Sequence, residues 1–243
     1  MDILSPLKIA VLVNTPLDNK EFWLDVRESW RESLKQASPT AEVDFYDPVH
    51  KRNFPDASQY NLVVLSGGKA NASCNEPWVL GVLEYVRETV RDHPKTKILG
   101  ICWGHQALNR ALGAKVQLVT TGPIAAVEDV RLTEAGKNFF EFVAEAGFYT
   151  APEFHAWEVA NPAPGFIHLA ENNECFMNEA NTVLTFQAHP EVSHALAKKM
   201  LLEEDKDYNR NSSQQQIEEA LAKLDRPTHG RKLLERAMSW ARG

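Results

Sequence analysis

A cysteine between two glycines constrains the fold of this chain more than any other feature. An apolar run, Ile98-Leu99, leads into Gly100-Ile101-Cys102-Trp103-Gly104, and helix-forming residues follow until Gly113. This order predicts a strand, a sharp turn and a helix. Side chains at the two glycine positions would collide with neighbouring elements, and Cys102 would project from the end of the strand. Because a helix N-terminus favours a thiolate, the pattern predicts a reactive cysteine rather than a buried structural one.

A second motif, late in the chain, can supply a proton carrier. Residues 182–186 are rich in β-branched side chains and predict a strand, which leads into His189-Pro190-Glu191. Pro190 cannot extend the hydrogen bonding of the strand, so it holds His189 and Glu191 at a fixed turn. Glu191 can then accept a hydrogen bond from one imidazole nitrogen while the other nitrogen faces Cys102. Together the two motifs predict a nucleophile, a base and a carboxylate that orients the base.

Apolar runs alternate with segments of helical periodicity along the chain. Continuous runs of this kind are typical of strands that are buried on both faces of a parallel sheet. We therefore expect an α/β fold: a doubly wound, mostly parallel sheet with flanking helices and a site at the carboxyl edge of the sheet. The predicted strands cover residues 8–14, 43–46, 61–65, 97–101, 116–119, 126–130, 154–159, 166–170, 175–177 and 182–186, and the predicted helices cover 18–37, 76–91, 103–112 and 134–143.

A glycine pair marks the end of the predicted strand 61–65, where the sequence reads Ser66-Gly67-Gly68. Glycines at the carboxyl end of a parallel strand allow backbone N–H groups to point into a site. An ordinary Gly-Gly turn is the alternative. The position of the pair, one βα unit before Cys102, favours a functional loop that binds substrate.

Composition and charge exclude several classes of function. The 243 residues carry a net charge of −7, and no basic stretch alternates with aromatic residues, so no nucleic acid partner is expected. The chain start lacks a leader pattern, and no window approaches the ~18 apolar residues of a membrane span. We therefore expect a cytoplasmic protein that contacts no membrane. Three scattered cysteines predict no disulfide framework, and the eight histidines form no zinc-type cluster, so no metal is expected.

The two motifs resemble the class I (triad) glutamine amidotransferases, whose pattern is Gly-x-Cys-x-Gly-x-Gln followed far downstream by His-Pro-Glu. The resemblance extends from the first strand to about His194, and it implies a flavodoxin-like fold and a catalytic triad of Cys102, His189 and Glu191. GMP-synthase-like amidotransferase domains and γ-glutamyl peptidases are the subgroups that a stand-alone chain of this kind is similar to. Gln106 matches the glutamine on the elbow helix that helps to hold the substrate in this family.

The resemblance also implies further site residues. The family forms its oxyanion hole from two N–H groups, which correspond here to Gly68 and Trp103. Lys69 stands where the family often has proline, so the loop departs from the usual pattern.

Three pocket residues follow from the same resemblance. His155 occupies the region of a pocket histidine, although a structural histidine is the alternative, and Cys175 and Phe176 correspond to a strand that touches bound glutamine. Trp157 replaces a smaller polar residue of the family, which favours leaving groups larger than ammonia.

The last part of the chain lies beyond the resemblance. Residues 207–213 read as a polar linker, and Ser213 with Gln216 forms a capping box before a helical stripe. Gly230 precedes a second stripe. We expect a catalytic domain over residues 1–206 and a helical appendage over 207–243 that packs on this domain, with a partner-binding surface as the alternative.

The expected reaction is hydrolysis or transfer of a γ-glutamyl amide through a γ-glutamyl thioester, with a small-molecule γ-glutamyl substrate and no cofactor. One alternative is a glutaminase subunit that delivers ammonia to a separate synthetase, since 243 residues cannot include one. Another is a catalytically silent regulatory or scaffold protein. Two other enzyme classes with a similar elbow are disfavoured: an α/β-hydrolase places its acid before the histidine, and the cysteine-elbow family of stress chaperones and small peptidases lacks His-Pro-Glu.

Overall fold

A seven-stranded sheet forms the centre of the structure, a computed structural model that describes residues 6–15, 20–204 and 213–243. Its strand order is β2-β1-β3-β4-β11-β10-β9. The first five strands in this order are parallel, and β10 and β9 are antiparallel to their neighbours. Along the chain the strands are β1 (Lys8–Leu12), β2 (Glu42–Tyr46), β3 (Leu62–Leu65), β4 (Lys97–Ile101), β5 (Lys115–Leu118), β6 (Ile124–Arg131), β7 (Phe148–His155), β8 (Trp157–Asn161), β9 (Phe166–His168), β10 (Cys175–Asn178) and β11 (Val183–Phe186).

Helices cover both faces of this sheet. In β1, Ile9 and Val11 point into one core and Ala10 and Leu12 into the other, as the two-residue period of a strand requires. The helices are α1 (Lys20–Ala37), α2 (Pro77–Asp92), α3 (Trp103–Ala111), α4 (Glu134–Phe139), α5 (His194–Lys199), α6 (Gln214–Leu224) and α7 (Gly230–Ala241), and a π-helical turn (Met200–Glu204) follows α5. The predicted doubly wound, mostly parallel α/β fold is confirmed.

Two small antiparallel pairs, β5–β8 and β6–β7, lie outside the main sheet. The prediction of one strand over residues 154–159 is wrong, because the chain bends at Ala156 and the two halves pair with different partners. His155 Nδ1 lies 3.0 Å from the carbonyl oxygen of Trp157 across this bend. An alternating pattern cannot reveal a change of partner within it.

The C-terminal helix α7 packs into the core on the α1 face of the sheet. Leu233, Leu234 and Met238 are buried in the same hydrophobic cluster as Trp30 and Leu34 of α1. The capping box of Ser213 and Gln216 is present at the start of α6.

Three sequence predictions fall on positions that the structure does not describe. The cap at Asp18, the linker over residues 207–212 and the boundary at 206/207 lie outside the described residues. The division into a catalytic domain and an appendage therefore stays a prediction. Within the described ranges, no helix combines the length and the apolar character that crossing a membrane requires.

Candidate active site

Cys102 lies at a strained turn between β4 and α3. Its backbone has φ 48° and ψ −102°, a conformation that costs a non-glycine residue about 1–3 kcal/mol. Hydrogen bonds fix the turn on both sides: the Cys102 N–H donates to the carbonyl of Phe186 at 2.8 Å, and the Cys102 carbonyl accepts from the N–H of Gln106 at 3.0 Å. A side chain at position 100 would lie 2.6 Å from the carbonyl oxygen of Gly104, and one at 104 would overlap the carbonyl of Leu65. The predicted elbow is confirmed.

His189 and Glu191 form a buried pair just beyond β11. His189 Nδ1 lies 2.9 Å from Glu191 Oε1, and both residues are buried. The N–H of His189 donates to the carbonyl of Pro152 at 2.8 Å, which ties the turn to β7. Because β11 is the parallel neighbour of β4, the His-Pro-Glu turn and the elbow lie at the same carboxyl edge of the sheet.

The charge state of His189 follows from its neighbours. Burial alone would lower the pKa of this imidazole, but the charge of Glu191 and that of Cys102, with hydrogen bonds to both, raise its pKa well above the usual range. His189 Nε2 is buried and has no nitrogen or oxygen partner among the described residues. The ring therefore has the carboxylate on one nitrogen and a second nitrogen available for chemistry at the thiol.

The loop after β3 lies against these two elements. A side chain at position 67 would meet the His189 ring, and one at 68 would overlap the carbonyl of Asn14 and lie 3.6 Å from Cβ of Trp103. Trp103 begins α3, and the first N–H groups of a helix have no acceptor within it. The loop and the helix start therefore bring the N–H groups of Gly68 and Trp103, the two predicted oxyanion donors, close to one another.

A cavity of about 200 Å³ opens above Cys102, His189 and Glu191. Gln106, His155 and Trp157 lie on its lining, as the motifs predicted. The Gln106 side-chain amide donates to the carbonyl of Trp157 at 2.7 Å, so α3 and the bend at 156 hold each other in place. The other polar lining residues are Thr15, Ser29, Gly67, Gly68 and Lys69, and an apolar wall consists of Phe22, Val26, Val192, Leu196 and Met200.

Two predicted pocket residues do not reach this cavity. Cys175 and Phe176 are fully buried in β10, and neither lines it. Phe176 stacks on His105 at 5.3 Å between ring centroids. Burial, together with the charge of His155, lowers the pKa of His105 to about 3, so this histidine is a neutral core residue. Strand β10 is separated from β4 by β11, which places its side chains beneath the site rather than in it.

Two serines on α1 hold the His-Pro-Glu turn, and sequence reasoning missed both. The hydroxyl of Ser29 donates to the carbonyl oxygen of Glu191 at 2.6 Å, and the hydroxyl of Ser33 donates to the same oxygen at 3.0 Å. The two serines are four residues apart and so share one helix face. This spacing, next to the apolar stripe of α1, was the available signal. On the other side, the backbone of Gly230 packs so closely on the carbonyl of Pro190 that a side chain would overlap it.

Beneath His155 lies a buried pair of acids. Glu153 is buried on β7 beside Glu174, whose carboxyl oxygen Oε2 is hidden from solvent. Burial raises the pKa of Glu153 to about 8, and burial together with the charge of Glu153 raises the pKa of Glu174 well above its usual range. Glu153 Oε2 lies 3.4 Å from His155 Nε2. Among the described residues, no group of three or more His, Cys, Asp or Glu side chains is placed to hold a metal ion.

Comparison with known proteins identifies the family. The family model "Glutamine amidotransferase class-I" matches residues 22–207, most of the chain. This chain belongs to the class I glutamine amidotransferases. The glutamine amidotransferase-like protein chyE of Penicillium rubens is 60% identical to it, over 99% of each chain, and the glutamine amidotransferase-like protein chry6 of Gibberella zeae is 31% identical, over 96% of this chain and 95% of that one.

More distant class I relatives carry other names. Gamma-glutamyl peptidase 2 of Arabidopsis thaliana is 26% identical over 61% of this chain and 58% of its own, and a glutamine-hydrolyzing GMP synthase subunit of Methanosarcina barkeri is 38% identical over 46% and 56%. A glutamine amidotransferase from Thermotoga maritima, known from its crystal structure, superposes with a TM-score of 0.71 over 97% of this chain and 98% of that chain at 19% identity. At that identity the superposition establishes the fold.

Proposed function

We propose that this amidotransferase-family protein is a cysteine-dependent hydrolase of γ-glutamyl amides, with Cys102, His189 and Glu191 as its catalytic triad. The observation that carries the proposal is the elbow cysteine beside a buried histidine–glutamate pair at the base of one cavity. A strained thiol, an imidazole with a raised pKa and a carboxylate that orients the imidazole are the parts that acyl transfer requires.

In the proposed reaction, the Cys102 thiolate attacks the γ-carbonyl carbon and a C–S bond forms. The N–H groups of Gly68 and Trp103 stabilise the oxyanion, a contribution of about 10²–10³ in rate for each such donor. His189 gives its proton to the leaving nitrogen, the C–N bond breaks and an amine leaves. His189 then removes a proton from water, which attacks the γ-glutamyl thioester and releases glutamate and the free thiol. The residues that we assign to substrate binding are Gly67, Gln106 and His155.

The fate of the nitrogen separates two functions. Independent hydrolysis is supported by the presence of nucleophile, base, orienting acid and both oxyanion donors in one chain, and by the relatives named gamma-glutamyl peptidase. The second candidate is a glutaminase that supplies ammonia to a separate synthetase, and the relatives named as subunits of GMP synthase support it. A catalytically silent regulatory protein is the least favoured function, because each residue that the reaction needs is present.

Glutamate release by the purified protein tests the proposal. We expect release from glutamine or γ-glutamylglycine by the protein alone, complete loss of turnover in Cys102→Ala and His189→Ala, and a measurable remnant in Glu191→Gln, because Glu191 orients the base without transferring a proton. Circular dichroism checks that each variant remains folded. Activity that appears only with a co-purifying synthetase would favour the second candidate, and near-normal turnover by His189→Ala would contradict the triad.

A further inference from the structure

The apolar wall of the cavity is built from three separate segments of the chain. Phe22 and Val26 come from α1, Val192 and Leu196 lie just after the triad glutamate, and Met200 begins the π-helical turn. All five belong to, or pack against, one hydrophobic cluster beside the main core. The wall is therefore a continuous apolar surface within a few residues of Glu191.

A γ-glutamyl group has little use for such a wall. Its α-ammonium and α-carboxylate groups must keep hydrogen-bonding partners, because a polar group buried without a partner costs about 1–3 kcal/mol. The polar lining, with Gln106 and His155, offers such partners, and the apolar wall offers none. Ammonia, the leaving group of glutamine, is polar and smaller than any of the five wall side chains. The substituent on the scissile nitrogen is the part of a substrate that fits the wall.

We propose, as a refinement that rests on the proposed function, that the leaving amine carries a hydrophobic group that packs on Phe22, Val26, Val192, Leu196 and Met200. The overall step is γ-glutamyl–NHR + H₂O → glutamate + RNH₂, where R is an aromatic or branched aliphatic group. Enclosing a phenyl-sized group in this way is worth about ten- to a hundred-fold in kcat/KM.

Two amides that differ only in this group provide the test. Steady-state kcat/KM is measured for γ-glutamyl benzylamide and γ-glutamyl methylamide, with glutamine as a third substrate. We expect the benzylamide to exceed the methylamide by at least about ten-fold. Val26→Thr, which places a hydroxyl in the wall at nearly constant volume, should lower this ratio several-fold. Val90→Thr is the matched control, since it makes the same change at a half-buried helix position outside the cavity and should leave the ratio unchanged.

The outcomes separate the refinement from the function beneath it. Hydrolysis of both amides with a ratio near one, or an equal fall of the ratio in Val26→Thr and Val90→Thr, overturns the hydrophobic leaving group and leaves the hydrolase intact. Failure to hydrolyse any of the three substrates overturns the hydrolase itself. Alkylation of Cys102 by N-benzyl iodoacetamide and by iodoacetamide, normalised to Cys74, needs no turnover. Equal normalised rates for the two reagents overturn the assignment of the wall, and a benzyl preference that Val26→Thr removes supports it.

Discussion

Gly67→Ala perturbs the proposed base through a single methyl group. The added Cβ would lie 2.6 Å from Cε1 of His189, 3.5 Å from its Nδ1 and 3.6 Å from Cβ of Cys102. Carbon atoms pack without repulsion at about 3.5–4.0 Å, so the ring must move by roughly 1 Å. Gly67 is not among the residues with positive φ, so alanine is compatible with the backbone, and the contact with the ring is the whole effect.

The ring cannot make this movement freely. Its Nδ1 is held 2.9 Å from Glu191, and its backbone N–H is bonded to Pro152 at 2.8 Å. A displacement of about 1 Å in a reacting group costs about 10²-fold in rate. We therefore expect kcat for γ-glutamyl amide hydrolysis to fall about a hundred-fold, or about 2.7 kcal/mol in activation free energy, with a much smaller change in the urea midpoint of unfolding.

The control is Gly81→Ala on α2. There the added Cβ meets only Phe54, at 3.5 Å, which is an ordinary contact. Alanine in a helix interior is favoured over glycine by about 0.5–1 kcal/mol, so this variant should be active and at least as stable as the wild type. A Gly67→Ala variant that folds normally and retains kcat within two-fold of the wild type would refute the assignment of His189 as a base positioned by this loop.

Two further predictions concern groups that support the site. Replacing both Ser29 and Ser33 by alanine removes the two donors to the Glu191 carbonyl, so kcat should fall about ten-fold, and the acid limb of its pH profile should shift, whereas the Ser38→Ala control on the same chain segment should change neither; unchanged kcat and pH profile would contradict a positioning role. Glu153 has a pKa of about 8 in the folded protein against a reference value of 4.5, so its carboxyl is protonated only in the folded state between these values. Stability from this group is full below about pH 4.5 and is lost as the pH rises towards 8. Urea unfolding of Glu153→Gln should therefore give a midpoint that gains on the wild type between pH 5 and pH 8, while exposed Glu128→Gln should run parallel to it; a parallel course for Glu153→Gln would contradict the raised pKa.

The sequence allows the elbow and the order of the buried strands to be predicted because both rest on local signals. Glycines at 100 and 104, an apolar run before them and helix formers after them each have one steric interpretation, and the structure has the turn that they predict. The runs that form β1, β3, β4 and β11 are apolar throughout because both faces of the sheet are covered.

Contacts between distant segments could not be predicted in this way. The bend at Ala156 divides one apparent strand between two partners, and only pairing with β5 and β6 makes the division necessary. Phe22 and Val26 have the spacing of core residues and do pack in a core, yet they also line the cavity, because the cluster they join borders the site. Helical periodicity indicates which face of α1 is buried, but not what that face meets.

The His-Pro-Glu turn shows why the chemistry of this site is easier to predict than its support. The turn itself contributes an imidazole and a carboxylate two residues apart, and that spacing is enough to predict their hydrogen bond. Its position is set by contacts from the rest of the chain: Ser29 and Ser33 on the carbonyl of Glu191, Gly67 against the imidazole ring, and Gly230 against the carbonyl of Pro190. These residues have small side chains and no recognisable motif, because their task is to allow a close approach or to donate one hydrogen bond. A motif therefore predicts which groups react, and only the packing of α1, the β3 loop and α7 around one turn explains how they are held close enough to do so.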